Sequence, residues 1–114
     1  ITKEQQSDFL SNLVEMNRQR QIEWDTTDGG VSILFRMVEL CGEVGELANN
    51  IKKEHRSQIG MKGSKSSIEE IKDEMGDVLI SLSLLASDLN INLAEATKAK
   101  FNKTSEKYGF ETKF

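Results

Sequence analysis

The sequence predicts an all-α, four-helix bundle-like subunit, and three observations support this fold class. The 114 residues contain no proline, the residue that most strongly breaks helices. Segments rich in charge and leucine favour helix along most of the chain. Apolar residues recur at helical spacing, and no alternation of apolar and polar residues is long enough to indicate a strand.

The first two predicted helices are separated by a short break. The first spans about 3–21, and Thr2 and Gln5 are spaced as a capping box at its start. Two adjacent glycines close the break at 25–30. The second helix spans about 32–54. Its apolar side consists of Leu34, Val38, Cys41, Leu47, Ala48 and Ile51.

The third predicted helix follows a polar loop at about 55–66. The loop is rich in glycine, serine and lysine, a composition that suggests mobility. Ser67 and Glu70 form a capping box that predicts the start of the helix. Asn90 is expected to end it, because asparagine tolerates the left-handed backbone conformation.

The fourth predicted helix begins where Asn92 and Glu95 have capping-box spacing, and it ends at Gly109. The tail, residues 110–114, looks loosely held. Short links join the first helix to the second and the third to the fourth, so each pair is expected to be antiparallel neighbours.

The length of the chain fits a single domain spanning 1–114. A chain of this size has a small core and leaves much of its surface exposed as a monomer, so we expect a homodimer or homotetramer. The net charge of −4 argues against binding to a nucleic-acid polymer, although an acidic protein can bind a polyphosphate through divalent cations.

The expected location is the cytoplasm, without membrane association. Cys41 is the only cysteine, which excludes an intramolecular disulfide and suits a reducing compartment. No apolar run reaches the roughly 20 residues that a membrane span needs, and no charged-then-apolar leader opens the chain.

Two of the predicted helices carry the same acidic pattern, with acids at i, i+4 and i+7 on one helical stripe. These acids are Glu39, Glu43 and Glu46, followed by Glu70, Glu74 and Asp77. Like charges at this spacing destabilise a helix by about 0.2–0.5 kcal/mol per pair. Gly45 and Gly76, in matching register, each cost about 1 kcal/mol relative to alanine. A cation between the stripes would offset the repulsion, and the glycines would let the two backbones approach closely.

The ligand chemistry of these stripes points to a hard metal ion. Oxygen-only carboxylate sites suit Mg²⁺, with Mn²⁺ as a substitute, and Mg²⁺ usually also binds substrate phosphates. The alternative is a pair of solvated acidic faces. The apolar neighbours of the acids indicate instead that the stripes border the core; they are Val44, Leu47, Val78 and Leu79.

The combined motif, Glu43-x-x-Glu46 followed by Glu74-x-x-Asp77, resembles the signature of the MazG family of all-α nucleoside triphosphate pyrophosphohydrolases. The resemblance implies that these four acids bind metal and that the chain hydrolyses a nucleoside triphosphate to the monophosphate and pyrophosphate. It also implies house-cleaning of surplus or non-standard nucleotides. Many relatives have two adjacent acids at the first motif; here Gly42 precedes Glu43, and Glu39 is the candidate to compensate.

A further carboxylate is needed to accept a proton from the attacking water, and Glu39 and Glu70 are the candidates. Either residue could equally orient a metal ligand. The phosphates need cations, and the fourth helix offers a face with Lys100, Lys103 and Lys107, with Asn102 beside them. A solvated lysine stripe is the alternative for this face.

Recognition of the base needs a flat apolar surface and a few polar groups. Trp24, the only tryptophan, could stack on a base, or it could be a structural anchor. Asn17 and Gln21, which lie slightly earlier on the first helix, are the candidates to read base edges.

Two rival functions remain at this point. One is a non-catalytic helical interaction module whose acidic faces bind a basic partner. The other is a di-iron carboxylate bundle. It ranks lower because that fold uses a Glu-x-x-His motif on each of two helices, and this sequence contains no Glu-x-x-His motif. Cys41 lies among apolar positions and is expected in the core.

Overall fold

The computed structural model describes residues 3–24 and 30–114, with side chains from residue 9 onward within those ranges. Four helices make up the described chain and no strand occurs in it: α1 (Lys3–Trp24), α2 (Ile33–Gln58), α3 (Ile68–Asp88) and α4 (Leu93–Tyr108). The predicted all-α fold class is confirmed. The capping box at Thr2 and most of the predicted break, 25–29, lie outside the described residues.

The chain divides into two compact units, which are described separately. One unit is Val31–Leu85 and holds α2 with most of α3. The other combines Ile1–Gly30 with Ala86–Phe114 and holds α1 and α4. The expectation of a single domain stays a prediction.

In the first of these units, both helices begin at serine caps. The Phe35 amide donates to Ser32 Oγ at 3.1 Å, which satisfies one of the free N–H groups at the start of α2. At α3, the Glu70 amide donates to Ser67 Oγ at 3.1 Å. This contact is the one that the Ser67 and Glu70 spacing predicts.

The loop between α2 and α3 is tied down by Arg56, in contrast to the mobility that its composition suggests. Arg56 Nη2 donates to the Ser64 carbonyl oxygen at 2.7 Å. The guanidinium lies so close to Gly63 that an added Cβ there would come within 2.6 Å of Arg56 Cζ. The prediction placed Arg56 within the loop at 55–66, whereas α2 continues to Gln58 and carries Arg56 on its last turn.

In the other unit, α1 packs against α4. The Glu95 amide donates to Asn92 Oδ1 at 3.1 Å, as predicted for the start of α4. Asn90 has φ 57°, and Gly109 has φ 69° at the C-cap of α4. Both helix ends therefore use the residues whose backbone tolerates the left-handed region.

The tail, 110–114, folds back on α4 instead of being loosely held. The Phe114 amide donates to Asn102 Oδ1 at 2.9 Å, and Asn102 Nδ2 donates to the Phe114 carbonyl at 3.3 Å. The rings of Phe101 and Phe114 pack edge to face, with their centroids 5.0 Å apart. A side-chain amide can satisfy both backbone groups of one residue, which short-range periodicity does not reveal.

The core of the described chain is small. The buried apolar residues are Ile71, Leu84, Ala86 and Ala94. Cys41, expected in the core, is exposed, and Leu34 and Val38 on the same helix are 73% and 63% exposed. This face of α2 is apolar but uncovered, which explains why its periodicity led to a wrong burial prediction for Cys41.

The two glycines of the acidic pattern do not mark a close backbone approach. A Cβ added at Gly45 or Gly76 would meet nothing within 4 Å. The close-approach explanation is therefore wrong within the described residues.

Within the part of the chain that the structure describes, no single helix has the length and hydropathy to cross a bilayer, although α3 and α4 as a bent pair pass that test by length and composition.

Replacing Gly63 with alanine should lower the free energy of unfolding by about 1–3 kcal/mol. At φ 139° an L-residue is strained, and the added Cβ would collide with the Arg56 guanidinium. Urea denaturation measures the change. Gly42→Ala is the matched control: it lies inside α2 with nothing within 4 Å, and it should gain up to about 1 kcal/mol from helix propensity. Equal effects in the two variants would contradict this explanation.

Candidate functional site

The centre of the candidate site consists of three carboxylates from α2 and α3. Glu43 and Glu46 lie on one face of α2 because they are three residues apart, and Glu74 comes from α3. One oxygen from each of the three lies within 4.8 Å of the others. The structure thus brings together three of the four acids predicted as metal ligands.

Asp77, the fourth predicted ligand, is exposed and is not part of this three-residue cluster. It lies near enough to Glu43 to be the strongest charged influence on that residue, while Glu46 is the strongest charged influence on Glu74. Asp77 therefore adds to the repulsion within the cluster although it lies outside the three-residue group.

Burial and mutual repulsion make two of these acids harder to ionise. Desolvation raises the pKa of Glu43 above its ordinary value, and the charges of Asp77, Glu46 and Glu74 raise it further. Desolvation likewise raises the pKa of Glu74, and the charge of Glu46 is the next largest cause. A bound proton or a bound cation would relieve the same repulsion.

The orphaned oxygens of the cluster fit a cation. Glu43 Oε2 and Glu74 Oε2 are buried and lack a hydrogen-bond partner among the described residues. Buried carboxylate oxygens without a donor are costly, and coordination of a metal ion would satisfy them. A set of carboxylates without cysteine or histidine suits a hard divalent cation.

Glu39, one of the two candidate general bases, is paired with an arginine on its own helix. Arg36 Nη1 lies 3.3 Å from Glu39 Oε1, and the arginine side chain is only 7% exposed. Glu39 is half-buried and lies one turn before Glu43. Its position suits either proton transfer or a supporting contact beside the cluster, so its role stays a prediction.

Glu70, the other candidate base, caps α3. Its carboxylate accepts hydrogen bonds of 3.4 Å from the hydroxyls of Ser66 and Ser67. The bond from the Glu70 amide to Ser67 Oγ is one half of the predicted capping box, while the Glu70 carboxylate contacts the serine hydroxyls. The capping role accounts for Glu70 without catalysis, and its catalytic role stays a prediction.

The residues predicted to contact the base all lie on α1, in the other unit. Trp24 is 78% exposed at the end of the helix, so its ring is accessible for stacking. Asn17 is buried at 3% exposure, and Gln21 is half-buried. Both take part in interactions within the protein. Among the three, Trp24 is the residue whose side chain is most accessible to a ligand.

The residues predicted to contact phosphate lie on α4. Lys100, Lys103 and Lys107 are exposed. Lys107 Nζ lies 5.5 Å from the centre of the Tyr108 ring. Asn102 is engaged by the backbone of Phe114, so both ends of its amide are already in use.

An open groove of about 690 Å³ also runs along α4, lined by Ala96, Thr97, Lys100, Phe101, Thr104, Ser105 and Phe110. Thr97 Oγ1 and Thr104 Oγ1 donate to the carbonyl oxygens of Leu93 and Lys100, four residues earlier. Both threonine hydroxyls are therefore hydrogen-bonded to the helix backbone, and the surface of the groove is mainly apolar.

Sequence reasoning missed two residues of the site. Asn50 Nδ2 donates to Glu74 Oε1 at 3.4 Å, and Asn50 is buried. Arg36, described above, was also missed. Both lie on the acidic stripe of α2: Arg36 is three residues before Glu39 and Asn50 is four residues after Glu46. Extending the helical period beyond the acids would have found them.

A family model described as the MazG nucleotide pyrophosphohydrolase domain matches residues 33–109, which include α2, α3 and α4. The chain is 34% identical over 64 residues to the Gene 37 protein of Mycobacterium phage L5, across 56% of this chain and 55% of that protein. It is 38% identical over 69 residues to the uncharacterized protein YpjD of Bacillus subtilis (strain 168), across 60% of each. The chain thus spans less than two thirds of the length of these curated relatives. No solved structure matches it.

Without divalent cations, Glu43→Gln should be more stable than the wild type at neutral pH. Because the pKa of Glu43 is raised above 4.5, the folded state holds the proton more tightly than the unfolded chain. That stabilisation is present at low pH and is lost as pH rises through the raised pKa. Glutamine stays neutral, so its advantage should shrink between about pH 7 and pH 5.

Denaturation midpoints measured at both pH values, with a chelator present, test this expectation. Adding Mg²⁺ should then raise the midpoint of the wild type more than that of Glu43→Gln, because only the wild type keeps the full ligand set. A variant less stable than the wild type at neutral pH without cation would contradict the argument.

Proposed function

Because the chain belongs to the MazG nucleotide pyrophosphohydrolase domain family, we propose that it hydrolyses a nucleoside triphosphate between the α- and β-phosphates. The products would be the nucleoside monophosphate and pyrophosphate. The observation that supports this most directly is the cluster of Glu43, Glu46 and Glu74, whose carboxylate oxygens lie within 4.8 Å.

In the proposed reaction, the oxygen of a water molecule bonds to the α-phosphorus. The bond from that phosphorus to the bridging oxygen breaks, and pyrophosphate leaves with the electron pair. A carboxylate takes the proton of the water. Bound Mg²⁺, or Mn²⁺ in its place, would neutralise phosphate charge and favour ionisation of the water.

The three clustered acids and Asp77 would hold the cation. Two oxygens, Glu43 Oε2 and Glu74 Oε2, are buried and ready to coordinate without breaking an existing hydrogen bond. Asp77 is more exposed and is proposed as the outermost ligand. Glu39 and Glu70 are both kept as candidates for the base.

Binding of the nucleotide is proposed to use residues outside the acidic cluster. The exposed ring of Trp24 offers a stacking surface for a base, and Lys100, Lys103 and Lys107 offer charge for the phosphates. Asn17 and Gln21 are proposed to shape the base site more than to contact the ligand freely, since both already interact within the protein. Asn102 would have to release Phe114 before it could contact phosphate.

The expected role is the removal of surplus or non-standard nucleotides in the cytoplasm. The role rests on the family alone, and the location rests on the single thiol, Cys41, which suits a reducing compartment.

Replacing Glu43 or Asp77 with alanine should abolish turnover. Loss of a direct ligand should exceed the roughly 10–100-fold decrease that loss of an outer-shell partner causes. The assay is pyrophosphate release from each nucleoside triphosphate in the presence of Mg²⁺, with circular dichroism as a check on helical content. Glu69→Ala is the matched control, since Glu69 is exposed on α3 and its carboxylate contacts Lys72.

Two results would reject the proposal. Release of orthophosphate and a diphosphate would exclude cleavage between the α- and β-phosphates. Absence of both turnover and any effect of Mg²⁺ on stability would favour the non-catalytic interaction module instead.

A comparison of Glu39→Gln with Glu70→Gln identifies the general base. The variant that loses more turnover carries the carboxylate that accepts the proton of the water.

The chain is also proposed to assemble as a homodimer or homotetramer. Large apolar side chains of α2 are exposed, with Leu34 at 73%, Val38 at 63% and Phe35 at 51%. Contiguous apolar surface of this kind marks an interface more often than a free surface.

Analytical ultracentrifugation should therefore detect a species of at least twice the chain mass of 12.8 kDa. Val38→Glu should shift the distribution toward the monomer, because it places a charge on the apolar face. Glu54→Lys, a charge change on a half-buried position of the same helix, is the control. A wild type that is monomeric at all concentrations would reject the assembly.

A further inference from the structure

Asn50 lies beside the carboxylate cluster and continues the stripe of Glu39, Glu43 and Glu46 along α2. Its side chain is buried, and its Nδ2 donates to Glu74 Oε1 at 3.4 Å. This is a contact between the two helices that supply the cluster. A buried amide is costly unless it is hydrogen-bonded, so the contact holds both side chains in place.

The contact makes the two oxygens of Glu74 different from each other. Oε1 accepts the Asn50 amide, whereas Oε2 is buried and lacks a hydrogen-bond partner among the described residues. Oε2 is therefore the oxygen ready to coordinate an ion. An ion held by both oxygens of Glu74 would have to share Oε1 with the Asn50 donor, and the hydrogen bond makes that oxygen a weaker ligand than Oε2.

This asymmetry matters because divalent cations differ in how they use carboxylates. Mg²⁺ requires near-octahedral geometry at about 2.0–2.1 Å and usually takes one oxygen from each carboxylate. Ca²⁺ accepts about 6–8 oxygens at 2.3–2.6 Å and often takes both oxygens of one carboxylate. Ligand number and flexibility decide the selectivity between the two ions.

We propose that Asn50 biases the cation specificity of the cluster: by donating to Glu74 Oε1 it favours coordination through Glu74 Oε2 alone, which favours Mg²⁺ and Mn²⁺ over Ca²⁺. The inference rests on the proposed function, because it concerns the same cation site. Asn50 is a positioning residue, since it acts on the ion through Glu74.

The test is isothermal titration of the protein with Mg²⁺, Mn²⁺ and Ca²⁺, each without nucleotide. Asn50→Leu removes the amide at similar volume and frees Glu74 Oε1. We expect its Mg²⁺ affinity to fall about 10-fold, as for other residues that orient a ligand. We expect Ca²⁺ affinity to fall less or to rise, so the ratio of Ca²⁺ to Mg²⁺ affinity increases.

Asn49→Leu is the matched control, because Asn49 is the exposed neighbour on the same helix. It should leave the ratio unchanged. Asn50→Gln keeps an amide donor and should restore a ratio closer to that of the wild type. If Asn50→Leu does not fold, Asn50→Ala removes the same donor without added bulk, and the same ratio is measured.

Two outcomes would overturn the inference, and they differ in what else they overturn. If all three affinities fall equally in Asn50→Leu, the residue only supports the fold and does not set specificity, while the proposed function stands. If the wild type binds none of the three cations, the cation site fails and the proposed function fails with it.

Discussion

The repulsion between carboxylates that face each other across α2 and α3 is the constraint on which the rest of this site depends. Folding brings oxygens of Glu43, Glu46 and Glu74 within 4.8 Å and removes part of their water. Unit charges at such separations repel strongly when water is excluded. The folded chain can relieve that repulsion with protons or with a cation. Stability, protonation and ion binding are therefore properties of one cluster and change together.

The six acids of the repeated pattern are alike in sequence but not in their surroundings. The first acid of each stripe has a partner: Glu39 pairs with Arg36, and Glu70 accepts from the hydroxyl of Ser67. Glu43 and Glu74, in the centre, each keep a buried oxygen without a donor in the described part of the chain. A bound cation gains most where the protein has left a buried charge uncompensated, which separates the middle acid of each stripe from the first.

Sequence reasoning was sufficient for features determined within a few residues. The caps at Ser67 and Asn92 and the left-handed Asn90 follow from local chemistry, and the structure contains each of them. The grouping of the acids followed from the helical period. Contacts between elements could not be predicted in this way, because the partner of Asn50 depends on the register of α3 against α2. Periodicity also cannot tell an apolar face that is buried from one that is uncovered, as Cys41 demonstrates.

The two hydrogen bonds between the Asn102 side chain and the backbone of Phe114 affect how mutagenesis of α4 should be interpreted. Asn102 has both ends of its amide on the backbone of Phe114. An alanine at this position would release the last residues of the chain and uncover the ring of Phe101. A loss of activity in such a variant would therefore have two separate origins, a missing ligand contact and a detached segment. Phe114→Ala is the companion variant: it keeps Asn102 and its backbone partners but removes the ring contact with Phe101, so it weakens the attachment of the segment without removing the asparagine.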